Sequence, residues 1–173
     1  MNQPLAFDPW IDPRIAEELG VRLVTLDELL RESDFVSLHC PLNEHTRHLI
    51  GARELALMKP EAYLINIARG GVVDEDALYD ALQRGAIAGA ALDCFAGEPL
   101  TGPSRFGEFD NVLLAPHAIA VTREHGRDIG RMACQGMIDL SKGALPPGTL
   151  NPEVAANPDF QAKWKRLIGS LNV

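Results

Sequence analysis

The sequence predicts an α/β protein built on a doubly wound parallel sheet, and three observations carry that expectation. Short apolar runs alternate with helical stretches from the first residues to about Pro116. The runs lack the strict polar/apolar alternation of a sheet with one wet face, so the strands are expected to be covered on both sides. Capping residues stand where the helices should begin, and glycines or prolines where several should end.

Taken in order, residues 5–7 form a first strand candidate that ends at Asp8. Asp12 then reads as an N-cap with Pro13 in the first turn and Gly20 closing the helix. Residues 21–24 are a second short strand, and Thr25 with Glu28 reads as a capping box ahead of Leu26, Leu29 and Leu30. A third strand, residues 35–39, is cut off by Pro41. Residues 52–58 look helical, and 62–67 form a buried strand. Asp74 caps a helix running to Gly85 with Ala77, Leu78, Ala81 and Leu82 on one face. Residues 87–92 and 112–115 are the last two strands, and 122–142 form one long helix ended by Gly143. Phe160, Trp164, Leu167, Ile168 and Leu171 recur at helical spacing in the final segment. The expected division is an α/β domain over 1–145 and a C-terminal tail over 146–173.

Composition narrows the function classes. With 173 residues the chain suits one domain, and 46% hydrophobic with 23% charged residues is the balance of a soluble globular protein. A formal net charge of −8 repels phosphate backbones and anionic lipid, so neither nucleic acid nor membrane is the expected partner. Cys40, Cys94 and Cys134 are far apart and odd in number, which suits a reducing, cytoplasmic compartment rather than a disulfide framework. No apolar run approaches the ~18 residues needed to span a bilayer. His39, His45 and His48 lack an acidic partner or a metal-ligand motif, so no metal site is expected there.

Three constellations fall just past predicted strands, at the edge where such a sheet places its ligands. Arg69 follows a buried strand and precedes Gly70 and Gly71, glycines that let backbone approach a ligand. Asp93 follows Ala91-Leu92, with Glu98-Pro99 close behind, and Pro116-His117 follows the last strand. An arginine fork matches a carboxylate bidentately and polarises a neighbouring carbonyl. Histidine exchanges a hydroxyl proton near neutral pH, and a carboxylate on its far nitrogen would orient the ring. Together these groups suit redox chemistry on a small 2-hydroxy or 2-oxo acid.

The ordered series His39-Cys40-Pro41-Leu42, Thr46, Ile50, Met58-Lys59-Pro60, residues 65–71, Val73-Asp74-Glu75, Ala91-Leu92-Asp93, Glu98-Pro99 and Pro116-His117 resembles the D-isomer-specific 2-hydroxyacid dehydrogenase family over roughly residues 5–155. That resemblance implies a Rossmann-like NAD-binding domain, incomplete at its N-terminus, and NAD-dependent reversible oxidation of a D-2-hydroxy acid. Arg69 would bind the substrate carboxylate and 2-oxo group, His117 would be the acid/base and Glu98 its partner. Asp8 would accept the adenosine ribose hydroxyls, an arrangement that disfavours a 2′-phosphate. Pro41 and Thr46 would wall the adenine and phosphate side, and Ile67, Ala68 and Asp93 the nicotinamide end. Glu98 argues against formate, since the formate dehydrogenases of the superfamily resemble this block but carry glutamine there. Cys94 stands where the family commonly has valine, and a small buried thiol is the expected reading.

A ribose-binding acid lies ~20 residues after the Gly-x-Gly-x-x-Gly turn, and only seven residues precede Asp8, so the sequence is expected to lack that turn. The strand before that turn would sit between the strand ending at Asp8 and residues 35–39, leaving two inner edges that must close on each other or receive a strand from another chain. The apolar face of the tail would recruit a second copy, giving a homo-oligomer, or fold back on its own domain. The same signatures fit an inactive remnant or a regulatory binding module, and Arg69, Glu98 and His117 do not discriminate between these and an active enzyme.

Overall fold

Local capping chemistry sets the helices of the N-terminal half. In the computed structural model, which describes residues 3–171, β1 (Leu5–Ala6) and β2 (Arg22–Leu23) pair in parallel, Leu5 opposite Arg22 and Ala6 opposite Leu23. Between them lies α1 (Pro13–Glu18), where the Asp12 carboxylate accepts from the Arg14 N–H at 3.0 Å and Gly20 turns the chain at φ +68°. Helix α2 (Leu26–Glu32) starts with Thr25 Oγ1 accepting from Glu28 N–H at 3.2 Å. The Glu28 carboxylate turns to Arg22 at 2.9 Å, so the expected box forms in one direction and an ion pair replaces the other.

A four-stranded parallel sheet forms the second ladder, in the order β3 (Phe35–Leu38), β4 (Tyr63–Asn66), β5 (Gly89–Leu92) and β6 (Val112–Leu114). Sequential strands pair in register, with Leu64 opposite both Val36 and Ala90, and Ala90 opposite Val112. Helix α3 (Ala52–Leu55) and helix α4 (Glu75–Gln83) complete the crossovers. Asp74 caps α4 by accepting from the N–H groups of Asp76 and Ala77, both at 3.1 Å. The core is built from Leu30, Ile50, Leu55, Leu64, Val72, Leu78, Ile87 and Phe106.

Predicted strand runs overshoot the ladders by one or two residues. Ala62 and Ile87 are fully buried yet lie outside β4 and β5. An apolar run reports burial rather than hydrogen bonding, and core packing continues past the last paired residue. Helix α3 ends at Leu55 instead of residue 58, because the chain turns through Ala56–Met58 toward Lys59-Pro60.

The two ladders remain separate. The starts of β1, β2 and β3 surround an open cleft of about 620 Å³ lined by Gln3, Leu5, Arg22, Glu32, Asp34 and Phe35. The inner edges therefore do not close on each other. Phe35 covers part of its own edge by stacking on Tyr63, with ring centroids 5.6 Å apart and planes at 13°.

The chain divides into two compact units, residues 1–119 and 120–173. In the second unit, α5 (Arg123–Ser141) begins at the Thr122 cap and gives way to Gly143 at φ +80°. The tail forms α6 (Pro158–Leu171), which is tied to the last turn of α5. Trp164 Nε1 donates to the Leu140 carbonyl at 3.0 Å, and the Phe160 and Trp164 rings lie 5.3 Å apart. Of the apolar face read in the sequence, Phe160, Trp164 and Ile168 are half-buried within their own unit and Leu167 is 54% exposed, while the Leu171 side chain lies outside the described residues. No helix among the described residues is long and apolar enough to cross a membrane.

Candidate active site

Three successive strand ends bring the predicted residues to one edge of the four-stranded sheet. Hydrogen bonds from Asp93 N–H to the Asn66 carbonyl and from Ala115 N–H to the Leu92 carbonyl, both 2.9 Å, carry the ladder beyond the strands proper. The loops after β4, β5 and β6 are thereby held side by side, with Arg69, Glu98 and His117 on them.

The loop after β4 is shaped by Asn66, which is 2% exposed. Its Oδ1 accepts from Ala68 N–H and its Nδ2 donates to the Arg69 carbonyl, both at 3.1 Å. An amide needs both partners when buried, so this side chain fixes the turn that presents Arg69. Arg69 is exposed, donates from Nη1 to the Ala68 carbonyl at 2.6 Å, and makes no ion pair among the described residues. Ile67 is half-buried and Ala68 buried in the same turn. Gly70 has a different use from the expected one. A Cβ there would sit 1.9 Å from the Phe95 carbonyl oxygen, so the glycine admits the neighbouring protein loop rather than a ligand.

That neighbouring loop follows β5. Its backbone is tied by two carboxylates: Glu98 Oε1 accepts from Phe95 N–H and Glu75 Oε1 from Ala96 N–H, both at 2.6 Å. Asp93 is 4% exposed, and its two oxygens accept from Ala118 N–H at 2.9 Å and Ile119 N–H at 3.3 Å. It grips the segment that follows His117. His117 itself has φ +54°, a left-handed conformation that a non-glycine residue holds only when its surroundings impose it.

The central contact is between His117 Nδ1 and Glu98 Oε2, 2.5 Å apart. The carboxylate accepts, so Nδ1 carries the hydrogen, and in the neutral ring Nε2 then keeps a lone pair. Burial pushes the Glu98 carboxyl up, but the hydrogen bonds from His117 and the Phe95 N–H outweigh it and hold it below the usual carboxylate range.

Pro41 and Thr46 lie in the loop after β3. Thr46 Oγ1 donates to the Pro41 carbonyl at 2.6 Å and accepts from Asn43 N–H at 2.8 Å. A bond from His48 N–H to the Gly71 carbonyl at 2.8 Å and a bridge between Ile50 and Val73 join this loop to the Arg69 segment. Asp8 is on the other ladder, just past β1, exposed, with Oδ1 accepting from Trp10 N–H at 2.9 Å. Asn66 and Glu75 stand within the family signatures, but neither was given a role from the sequence. The available signal for Asn66 was an amide closing an otherwise apolar run, whereas nothing marked Glu75 as a tie to the next loop, since its partner lies 21 residues away.

A parallel α/β domain with an arginine, a glutamate and a histidine at adjoining strand ends has the layout of an open sheet that takes its ligand beyond the carboxyl ends of its strands. The model of the D-isomer specific 2-hydroxyacid dehydrogenase NAD-binding domain matches residues 3–118, and the chain belongs to that family. It is 48% identical over 140 residues to a glyoxylate reductase of Aeropyrum pernix, covering 81% of this chain and 42% of that protein. It is 52% identical to a D-3-phosphoglycerate dehydrogenase of Synechocystis, covering 96% of this chain and 31% of that one. Among solved structures, an NAD-complexed D-isomer specific 2-hydroxyacid dehydrogenase from Lactobacillus delbrueckii ssp. bulgaricus superposes with a TM-score of 0.74 at 36% identity, covering 83% of this chain and 46% of that chain. The chain thus spans less than half the length of these relatives.

Proposed function

We propose that this chain carries the acid/base and carboxylate-binding machinery of an NAD-dependent D-2-hydroxyacid dehydrogenase, which reversibly oxidises a D-2-hydroxy acid to its 2-oxo acid. The observation that carries the reading is the Glu98–His117 pair at 2.5 Å, with the Glu98 loop braced against the turn of Arg69, which makes no ion pair among the described residues.

Each group has a chemical task. The Arg69 fork holds the substrate carboxylate and polarises the 2-oxo oxygen. His117 Nε2 takes the hydroxyl proton in oxidation and returns it in reduction. Glu98 fixes the ring's tautomer and offsets the positive charge the ring gains. Asp93 keeps the His117 loop in place through the amides of residues 118 and 119.

The residues fit the two ends of a dinucleotide. Asp8 Oδ2 has no partner among the described residues and would accept the ribose hydroxyls. Pro41 and Thr46 would wall the adenine and phosphate side, and Ile67, Ala68 and Asp93 the nicotinamide end. NAD, when bound, supplies the hydride acceptor. We also place the protein in the cytoplasm, supported by its separated free thiols at Cys40, Cys94 and Cys134, and as a homo-oligomer, supported by exposed Ile129, Met132 and Met137 on α5.

The test is an NADH titration that follows quenching of Trp10 and Trp164, joined to an assay of glyoxylate reduction. Saturable binding weakened by Asp8→Ala is expected, with turnover falling about 10²–10⁴-fold in His117→Asn. Absence of binding up to millimolar NADH would refute the cofactor assignment, and full turnover in His117→Asn the assignment of the proton carrier.

A further inference from the structure

Cys94 sits against the proton-carrying pair, which its place in the sequence did not reveal. Its Sγ, a Glu98 carboxylate oxygen and a ring nitrogen of His117 all lie within 4.8 Å of one another. Cys94 is 2% exposed two residues past β5, whereas the side chains of Glu98 and His117 are 28% and 43% exposed. One donor is thus held by burial and two can shift. Asp93 and Glu98 act on the thiol with negative charge, against the single positive charge of Arg69.

We propose that Cys94 Sγ, a Glu98 oxygen and His117 Nδ1 form an inhibitory site for a borderline-soft divalent cation, Zn²⁺ being the best match. Sulfur, nitrogen and carboxylate oxygen in one cluster are the ligand types zinc prefers, and three protein ligands leave a fourth position for water. Zinc bonds of about 2.0–2.3 Å place tetrahedral donors about 3.4–3.6 Å apart. The Glu98–His117 contact must therefore open from 2.5 Å by about 1 Å, and the thiol, within 4.8 Å of both partners, has at most about as much to close. Both moves fall mainly on the two exposed side chains.

Binding is a proton exchange. The thiol loses its proton to solvent and sulfur bonds the metal as thiolate. The ring gives up Nδ1 to the metal and carries its hydrogen on Nε2. Nε2 then donates and has no lone pair to accept a substrate proton, so the cation blocks proton transfer without occupying the Arg69 carboxylate site. Burial pushes the Cys94 thiol up, so cation affinity should rise with pH as the proton is more easily lost. The binding claim rests on the three donors alone, and its inhibitory consequence rests on the dehydrogenase reading.

The experiment is a Co²⁺ titration of the full chain read by absorbance, with Zn²⁺ as competitor. Wild type and the Cys40→Ser/Cys134→Ser double variant should both show one equivalent of thiolate-to-cobalt charge transfer, reversed by Zn²⁺. Cys94→Val and Cys94→Ser should lose the band, and Glu98→Gln should weaken affinity at least about tenfold. A band that survives both Cys94 variants, or none in wild type up to millimolar Co²⁺, overturns the site. Zinc should also inhibit glyoxylate reduction in wild type and spare Cys94→Val. A normal cobalt band with unaffected turnover would uphold the metal site and overturn the proton-carrier reading of His117.

Discussion

Glu98 meets opposite demands at one carboxyl group. Burial disfavours its charge, while His117 and the Phe95 N–H favour it more strongly, so its folded-state value lies below the unfolded one. The unfolded chain then binds more protons in acid, and the stabilisation is complete above the ordinary glutamate value of ~4.3 and lost as pH falls through the folded value. The denaturation midpoints of wild type and Glu98→Gln should therefore differ by a constant amount above about pH 5 and converge on acidification. A gap that widens in acid would contradict this balance. Gly70 is the second decisive residue, because an added Cβ meets backbone at 1.9 Å and not a flexible side chain. Gly70→Ala should cost about 1–3 kcal/mol in chemical denaturation, as overpacking does, and should lower turnover by shifting the loop that holds Glu98. Neither effect could be read from the sequence, where the glycine suggested access for a ligand. The partner that needs the space is 25 residues further along.

At the scale of elements, each strand end is held by its neighbour. Asn66 at the end of β4 bonds the loop that follows it and, through its carbonyl, the start of the β5 loop; Asp93 after β5 bonds the segment after β6. Asp93→Asn leaves one acceptor oxygen for two amides and should cost about 1–3 kcal/mol, with faster hydrogen exchange at Ala118 and Ile119 than elsewhere in the sheet. Unchanged exchange at those amides would mean the left-handed His117 backbone holds itself. The succession of elements was legible because apolar runs, the Asp12, Thr25 and Asp74 caps, and Gly20 and Gly143 act locally. The alignment of Arg69, Glu98 and His117 at one edge was legible too, since parallel strands put successive ends on the same side. Bonds that orient those groups were hidden, because they join residues brought together by the register alone. Cys94 is the plainest instance: its burial was expected, and its approach to Glu98 and His117 was not.

On the scale of the whole molecule, much apolar surface remains at the outside. Ile129, Met132 and Met137 are 53%, 71% and 70% exposed on α5, a helix with no buried residue. Sedimentation at tens of micromolar should give a mass above that of one chain, and Met132→Glu with Met137→Glu should return it to a single-chain mass; a monomeric wild type would refute the association. The split between the ladders has a consequence in time as well as in shape. Strands β4 and β5 are paired on both sides, whereas β1 and β2 hold each other through two residues apiece. Their amides should exchange on very different clocks, slowest in β4 and β5 and fastest in β1. Asp8 is mounted on the quick part and Arg69 on the slow part, so a cofactor bridging them would have to arrest one half against an already still other. Its association should then show an unfavourable ordering entropy, largest for ligands that reach Asp8, and calorimetry comparing NADH with its nicotinamide half alone would expose the difference.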